Sequence, residues 1–288
     1  MNTGAAGERE QAGKKPRSNL QLRVISALVL AAVVLALTWW GGAAFRVFAA
    51  LMGAAVFHEW ANLARERYSR EYRIAVWTLV AAVLVALAAG SDALTLFGAV
   101  IIAAAGAWVA ALVLGQGPGL AAGVVYSVAP AIALAFLRGS DVAGLWALLF
   151  LFACVWGTDI AAYFSGRYFG GPKLAPAISP SKTWSGAIGG AVAAAIGGAI
   201  IAVSGPSSAS VVVAMLIALA VSVVSQFGDL FESAYKRRHG AKDSGHIIPG
   251  HGGVMDRVDG LVAAAFALYV VCAVLAGPDS PAAGLFGG

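Results

Sequence analysis

Two carboxylates three residues apart, Asp256 and Asp259, stand just before the apolar segment 261–277 and close a polar stretch running from Ser233 to Gly260. Side chains three apart share a helix face, so the pair converges if that helix starts a turn early. Upstream, Asp229, Glu232, Ser233 and Lys236 follow the spacing i, i+3, i+4, i+7, one continuous stripe on a helix. Asp159 and Glu59 lie toward the ends of two further apolar segments. Hard carboxylate oxygens beside lysines and arginines suit Mg²⁺ carrying a phosphorylated substrate. Glycines at 240, 245, 250, 252, 253 and 260 let backbone amides approach an anion, and Lys236, Arg237, Arg238, Lys242 and Arg257 supply positive charge. A second polar stretch, 166–184, contains Ser179-Pro180-Ser181-Lys182-Thr183-Trp184, hydroxyls and an ammonium at a helix start, where an anion is favoured. Against this stands a plainer reading, in which the charges snorkel to water, a hydroxyl caps a helix and Trp184 anchors an interface.

The elements that must position these residues follow from composition. The chain has 288 residues, 60% hydrophobic and 11% charged, where a soluble domain carries about 25% charge. So few charges cannot coat so much apolar sequence, which points to a membrane protein. At about 20 apolar residues per spanning helix, nine segments qualify: 22–41, 43–63, 73–90, 93–115, 119–137, 142–165, 185–204, 208–230 and 261–277. The fold expected is all-α and polytopic, with about nine transmembrane helices. Residues 1–19 read as a disordered cytoplasmic tail and the first segment as an uncleaved helix. Residues 20–288 read as one transmembrane catalytic domain. Within it, 19–141 supplies helices 1–5, and 142–277 supplies helices 6–9 with the loops 166–184 and 231–260. Cys154 and Cys272 sit inside apolar runs and read as buried thiols, with no metal-ligand spacing.

Charge asymmetry sets the orientation. With the N-terminus cytoplasmic and the C-terminus outside, seventeen of the nineteen lysines and arginines fall on the cytoplasmic side, leaving Arg46 and Arg138 opposite. Asp159 then lies about 25 Å along its helix from Val142, near the cytoplasmic end. Asp229, Asp256, Asp259 and Glu59 reach the same depth. Charges inside spans cost about 2.5–3.5 kcal/mol each at a helix centre; gathered at one interface, they mark a site.

At these residues the chain resembles the phosphatidate cytidylyltransferase family. The likeness rests on Ser233, Lys236-Arg237, Lys242-Asp243, Pro249, His251-Gly252-Gly253, Asp256-Arg257 and Asp259, joined by Ser179-Pro180 with Lys182-Thr183-Trp184, and by Asp159 through Arg167. It covers roughly 150–277 well and the first five helices by hydropathy alone. Tyr235, where an aliphatic residue is expected, is a small departure. The resemblance implies transfer of a cytidylyl group from CTP to phosphatidic acid, giving CDP-diacylglycerol and pyrophosphate. It implies Mg²⁺ held by Asp229, Asp256 and Asp259, with a second cation such as K⁺. The catalytic candidates are then Asp229, Asp256, Asp259, Lys236, Lys242 and Asp243. The substrate-binding candidates are Ser179, Lys182, Thr183, Ser233, Arg237, His251, Gly252, Gly253, Arg257 and Asp159. The partners expected are the two substrates and the bilayer, with no nucleic acid, in a homodimer, at the inner membrane with the site facing the cytoplasm.

Two other readings compete. A transporter for an anionic solute predicts charges near the midplane and broken helices in repeated positions, neither of which the sequence has. A transferase using a preformed CDP-lipid predicts an Asp-Gly…Ala-Arg…Gly…Asp…Asp pattern on one helix, which is absent.

Overall fold

A computed structural model describes residues 19–64, 67–248 and 252–287. Among these, nine helices of 20 to 28 residues make up nearly all of the fold. They are α1 (Asn19–Trp40), α2 (Gly42–Leu63), α3 (Arg70–Ala89), α4 (Ala93–Val113), α5 (Gly119–Arg138), α6 (Val142–Phe169), α7 (Trp184–Ser204), α8 (Val211–Arg238) and α9 (Met255–Ala276). A hairpin of β1 (Lys173–Ala175) and β2 (Ser179–Thr183) joins α6 to α7, and a short α10 (Ala283–Phe286) closes the chain. A helix satisfies its own backbone polar groups, which lipid cannot do, so long apolar runs take this form. Seven of the nine, α3 to α9, are long and apolar enough to cross a membrane by length and composition. In α1 the apolar run within the described side chains is Val24–Trp40. The segment α2 carries Arg46, His58 and Glu59. The chain is an all-α, multi-pass membrane protein; of the tail read as 1–19, Asn19 opens α1 and residues 1–18 lie outside the described residues.

Caps fix several helix starts. Ser69, Asp92, Asp141, Thr183 and Ser210 each accept a backbone N–H in the first turn of the helix that follows. The α9 start differs, because Val254 at its cap position has no side chain that can accept.

Packing centres on α5, which touches α2, α3, α4, α6 and α9 and is buried through most of its length. One apolar cluster gathers residues of α2 to α5, and a second gathers α6 to α10 with parts of α2 and α5. The most extensive helix pairing is α6 with α7. There Gly186, Gly190, Ala194, Gly198 and Ala202 recur every fourth residue on the buried face of α7. A Cβ added at Gly190 would lie 2.8 Å from the Thr158 carbonyl, so the stripe of small residues sets the helix separation.

Three boundaries differ most from the sequence reading. The sixth helix runs to Phe169, the eighth to Arg238, and the ninth begins at Met255, six residues early. The α8 extension is polar, so hydropathy misses it; the Glu232–Lys236 pair at i, i+4 and three basic residues in the last turn support it. The stretch 166–184 is not a plain linker, since β1 and β2 pair antiparallel there.

Candidate active site

Where α6, α8 and the hairpin meet, a cavity of about 740 Å³ opens. Its wall carries Asp159, Arg167, Lys173, Lys182, Thr183 and Asp229. Antiparallel pairing of Lys173 with Thr183 and of Ala175 with Ser179 presents this wall from one ribbon. The Lys182 ammonium pairs with the Asp229 carboxylate across the gap between β2 and α8. The Ser233 hydroxyl donates to Asp229 Oδ1 from one turn further along α8, at 3.4 Å. Thr183 is buried and its hydroxyl accepts from Gly186 N–H at 3.1 Å, so here the plainer reading of a helix cap also holds.

A second set of charges lies further along α8. Lys236 Nζ stands 2.7 Å from Glu232 Oε2 and 2.6 Å from Asp256 Oδ1. Asp256 also accepts Ser244 N–H at 2.9 Å and Gly253 N–H at 2.8 Å, both at Oδ2. Each of its oxygens is therefore engaged, by an ammonium or by loop amides. Glu232 is 1% exposed, and its Oε2 meets the lysine as an ion pair without hydrogen-bond geometry. Asp259, one turn beyond Asp256 on α9, lies within Coulombic reach of Asp229, Glu232 and Asp159. It thus stands between the two sets.

A cation's fit to these carboxylates is mixed. All the donors are hard oxygens, and the two lysines already place positive charge on Asp229 and on the Glu232–Asp256 pair. A buried carboxylate left without a hydrogen bond, as at Glu232, accommodates added positive charge. Among the described residues, however, no three His, Cys, Asp or Glu groups are already gathered as a ligand set.

The remaining candidates fall around this frame. Lys242, Asp243 and Arg257 are exposed on the loop or at its exit, and Arg237 donates to the Ala241 carbonyl at 3.1 Å. Ser179 starts β2 at the opposite end from Lys182. Gly252 has φ of +83°, a conformation that L side chains rarely adopt, and a Cβ there would meet Asp256 Oδ2 at 2.8 Å. His251 lies outside the described residues.

Sequence reasoning gave one residue too little weight. Glu59, on α2, is 2% exposed. Its carboxylate accepts the Ser244 hydroxyl and the N–H groups of Val254 and Met255, each at 2.8 Å. The signal available beforehand was a single acid inside an apolar segment at the depth of the other carboxylates. Its partners, nearly two hundred residues away, had no pattern to announce them.

Comparison with known proteins shows the family of the chain. A model described as the cytidylyltransferase family matches residues 21–275. The chain is 49% identical over 274 residues to the phosphatidate cytidylyltransferase of Brucella suis biovar 1 (strain 1330), covering 93% of this chain and 99% of that protein. It is 40% identical over 263 residues to that of Pseudomonas aeruginosa, covering 85% and 94%. The Rickettsia conorii protein of the same name is 27% identical over 263 residues, covering 89% and 93%.

Proposed function

The chain belongs to the cytidylyltransferase family, and from that premise we propose how its geometry works as a CTP:phosphatidate cytidylyltransferase in phospholipid biosynthesis. The enzyme transfers CMP from CTP to phosphatidic acid in the membrane. A phosphate oxygen of the lipid forms a bond to the α-phosphorus of CTP. The bond from that phosphorus to the bridging oxygen breaks, and its electron pair leaves with pyrophosphate. CDP-diacylglycerol remains in the bilayer. The attacking phosphate is already ionised at neutral pH, so the protein's task is to position both anions and to neutralise their charge.

The observation that carries this reading is the cavity whose wall brings Arg167, Lys173 and Lys182 together with Asp159 and Asp229. Lys182 leaves Asp229 for an incoming phosphate, while Arg167 and Lys173 hold others, and Ser179, Thr183, Ser233, Arg237 and Arg257 complete the polar surround. Lys236 stays anchored by Glu232 and Asp256 and orders the α8–α9 junction, with Lys242, Asp243, Gly252, Gly253 and His251 on the adjoining loop. Asp229, Asp256 and Asp259 would hold Mg²⁺, which when bound supplies Lewis-acid neutralisation of the triphosphate; a second cation such as K⁺ belongs to the same reading. Soluble CTP must meet an interfacial lipid head group. That favours an active site on the cytoplasmic face of the inner membrane; the charge asymmetry favours nine spans with the N-terminus cytoplasmic and the C-terminus outside, and the family resemblance a homodimer.

The test incubates purified, detergent-solubilised protein with phosphatidic acid, radiolabelled CTP and Mg²⁺, beside Asp259→Asn and an EDTA control. Labelled CDP-diacylglycerol from the wild type alone is expected. A folded wild-type protein that makes no lipid product under any metal condition overturns the assignment.

A further inference from the structure

We infer that Glu59 of α2 is a positioning residue for this reaction: it caps α9 from outside that helix and so fixes where Asp256 and Asp259 stand. The inference rests on the activity proposed above. A helix begins with N–H groups that have no partner within it, and a side chain at the cap position usually accepts one of them. Val254 occupies that position in α9 and cannot. Glu59 takes over the role. Its Oε1 receives Val254 N–H and its Oε2 receives Met255 N–H, both at 2.8 Å. A carboxylate there also carries the charge sign that a helix N-terminus favours.

The geometry does more than close a helix end. Ser244 binds two carboxylates at once, giving its hydroxyl to Glu59 and its N–H to Asp256. Gly253, whose N–H also goes to Asp256, packs so closely on Glu59 and Ser244 that a Cβ there would collide with both. The loop ends at 244 and 253–255 are therefore gripped from one side by α2 and from the other by the first turn of α9. Asp256 passes the restraint on to Lys236 and Glu232 of α8. Without Glu59, the opening turn of α9 is free to fray, and Asp256 sits in that turn with Asp259 one turn later.

A residue that merely pins helices together would act on stability alone. A separate joint already holds α2 against α8: the rings of Trp60 and Tyr235 stack with centroids 3.7 Å apart, and Tyr235 donates its hydroxyl to the Trp60 carbonyl at 3.3 Å. Glu59→Gln, which keeps the side chain's size, therefore still leaves α2 seated.

The experiment compares full-length wild type, Glu59→Gln and Ser244→Ala in detergent micelles. The readouts are kcat and KM for CTP per folded molecule, the Mg²⁺ concentration at half-maximal rate, and amide hydrogen exchange of 244–259 without substrate. Glu59→Gln is expected to lower kcat about thirtyfold or more, with KM for CTP changed less than about threefold. The Mg²⁺ requirement rises and exchange quickens in 253–258 while other helices stay protected. Ser244→Ala, which removes one bond of the three, moves each readout the same way by a smaller factor. If Glu59→Gln does not fold, Ser244→Ala carries the decision alone. Variants with wild-type kcat per folded molecule, Mg²⁺ requirement and exchange overturn the inference, even if fewer molecules fold. A wild type that makes no CDP-diacylglycerol overturns the proposed function instead.

Discussion

Lys182 and Lys236 show how two lysines in one site differ. Lys182 is about a quarter exposed and meets one carboxylate at the cavity wall. Lys236 is nearly buried and meets two. The first can exchange its partner for a phosphate, whereas the second is held between two carboxylates. Lys182→Ala is therefore expected to lower kcat/KM for CTP by roughly ten- to hundredfold, the worth of a charge-assisted hydrogen bond, with the melting temperature little changed. Lys236→Met should act first on stability. It leaves Glu232 and Asp256 without their ammonium, and breaking a buried pair costs about 3–5 kcal/mol. Thermal unfolding in detergent reads that loss, and the double variant Lys236→Met, Glu232→Gln should regain part of it. Equal melting temperatures for the Lys182 and Lys236 variants would contradict this division. The residue types of both lysines were legible in the sequence. The division of labour was not, because burial and partner geometry leave no trace in spacing.

At the scale of elements, apolar runs announced the nine long helices found among the described residues, since lipid leaves an apolar chain little else to form. The ends were less legible. Hydropathy stops at residue 230 in the eighth helix, yet α8 continues to Arg238 on polar residues held by helix pairing and the dipole. The early α9 start depends on Glu59, a partner on another helix. The β1–β2 hairpin escaped notice because three- and five-residue polar strands have neither alternation nor length. It nevertheless carries Lys182 to the cavity, and its approach depends on the close seating of α6 and α7. Gly190→Val at that seam is expected to cost about 1–3 kcal/mol by overpacking and to weaken CTP binding. The same change at Gly98 of α4, where an added Cβ meets nothing within 4 Å, should leave CTP binding alone. Paired melting curves and CTP titrations check both.

For the whole molecule, the proposed topology puts the loop after α8 and the segment after α9 on opposite sides of the membrane. The native thiols, Cys154 and Cys272, are both free and buried, so reagent background should be low. His246→Cys and Ser280→Cys, both at exposed positions, serve as reporters. A membrane-impermeant maleimide added to intact spheroplasts should label Ser280→Cys alone, and inverted vesicles should reverse the pattern. Labelling of both from one side would contradict the nine-span arrangement.

The bond from Glu59 to α9 also has a history in time. Its partners are translated 195 and 196 residues later. At about 5–20 residues per second, the nascent chain waits roughly 10–40 seconds between them. Throughout that interval α2 sits in or beside the bilayer with an acid that has not met the amides that will donate to it. A ribosome stalled before Met255 leaves a membrane protein with most of its helices inserted and its active site unmade. α9 is thus the helix that completes α2, and the active site is finished only once α9 has emerged.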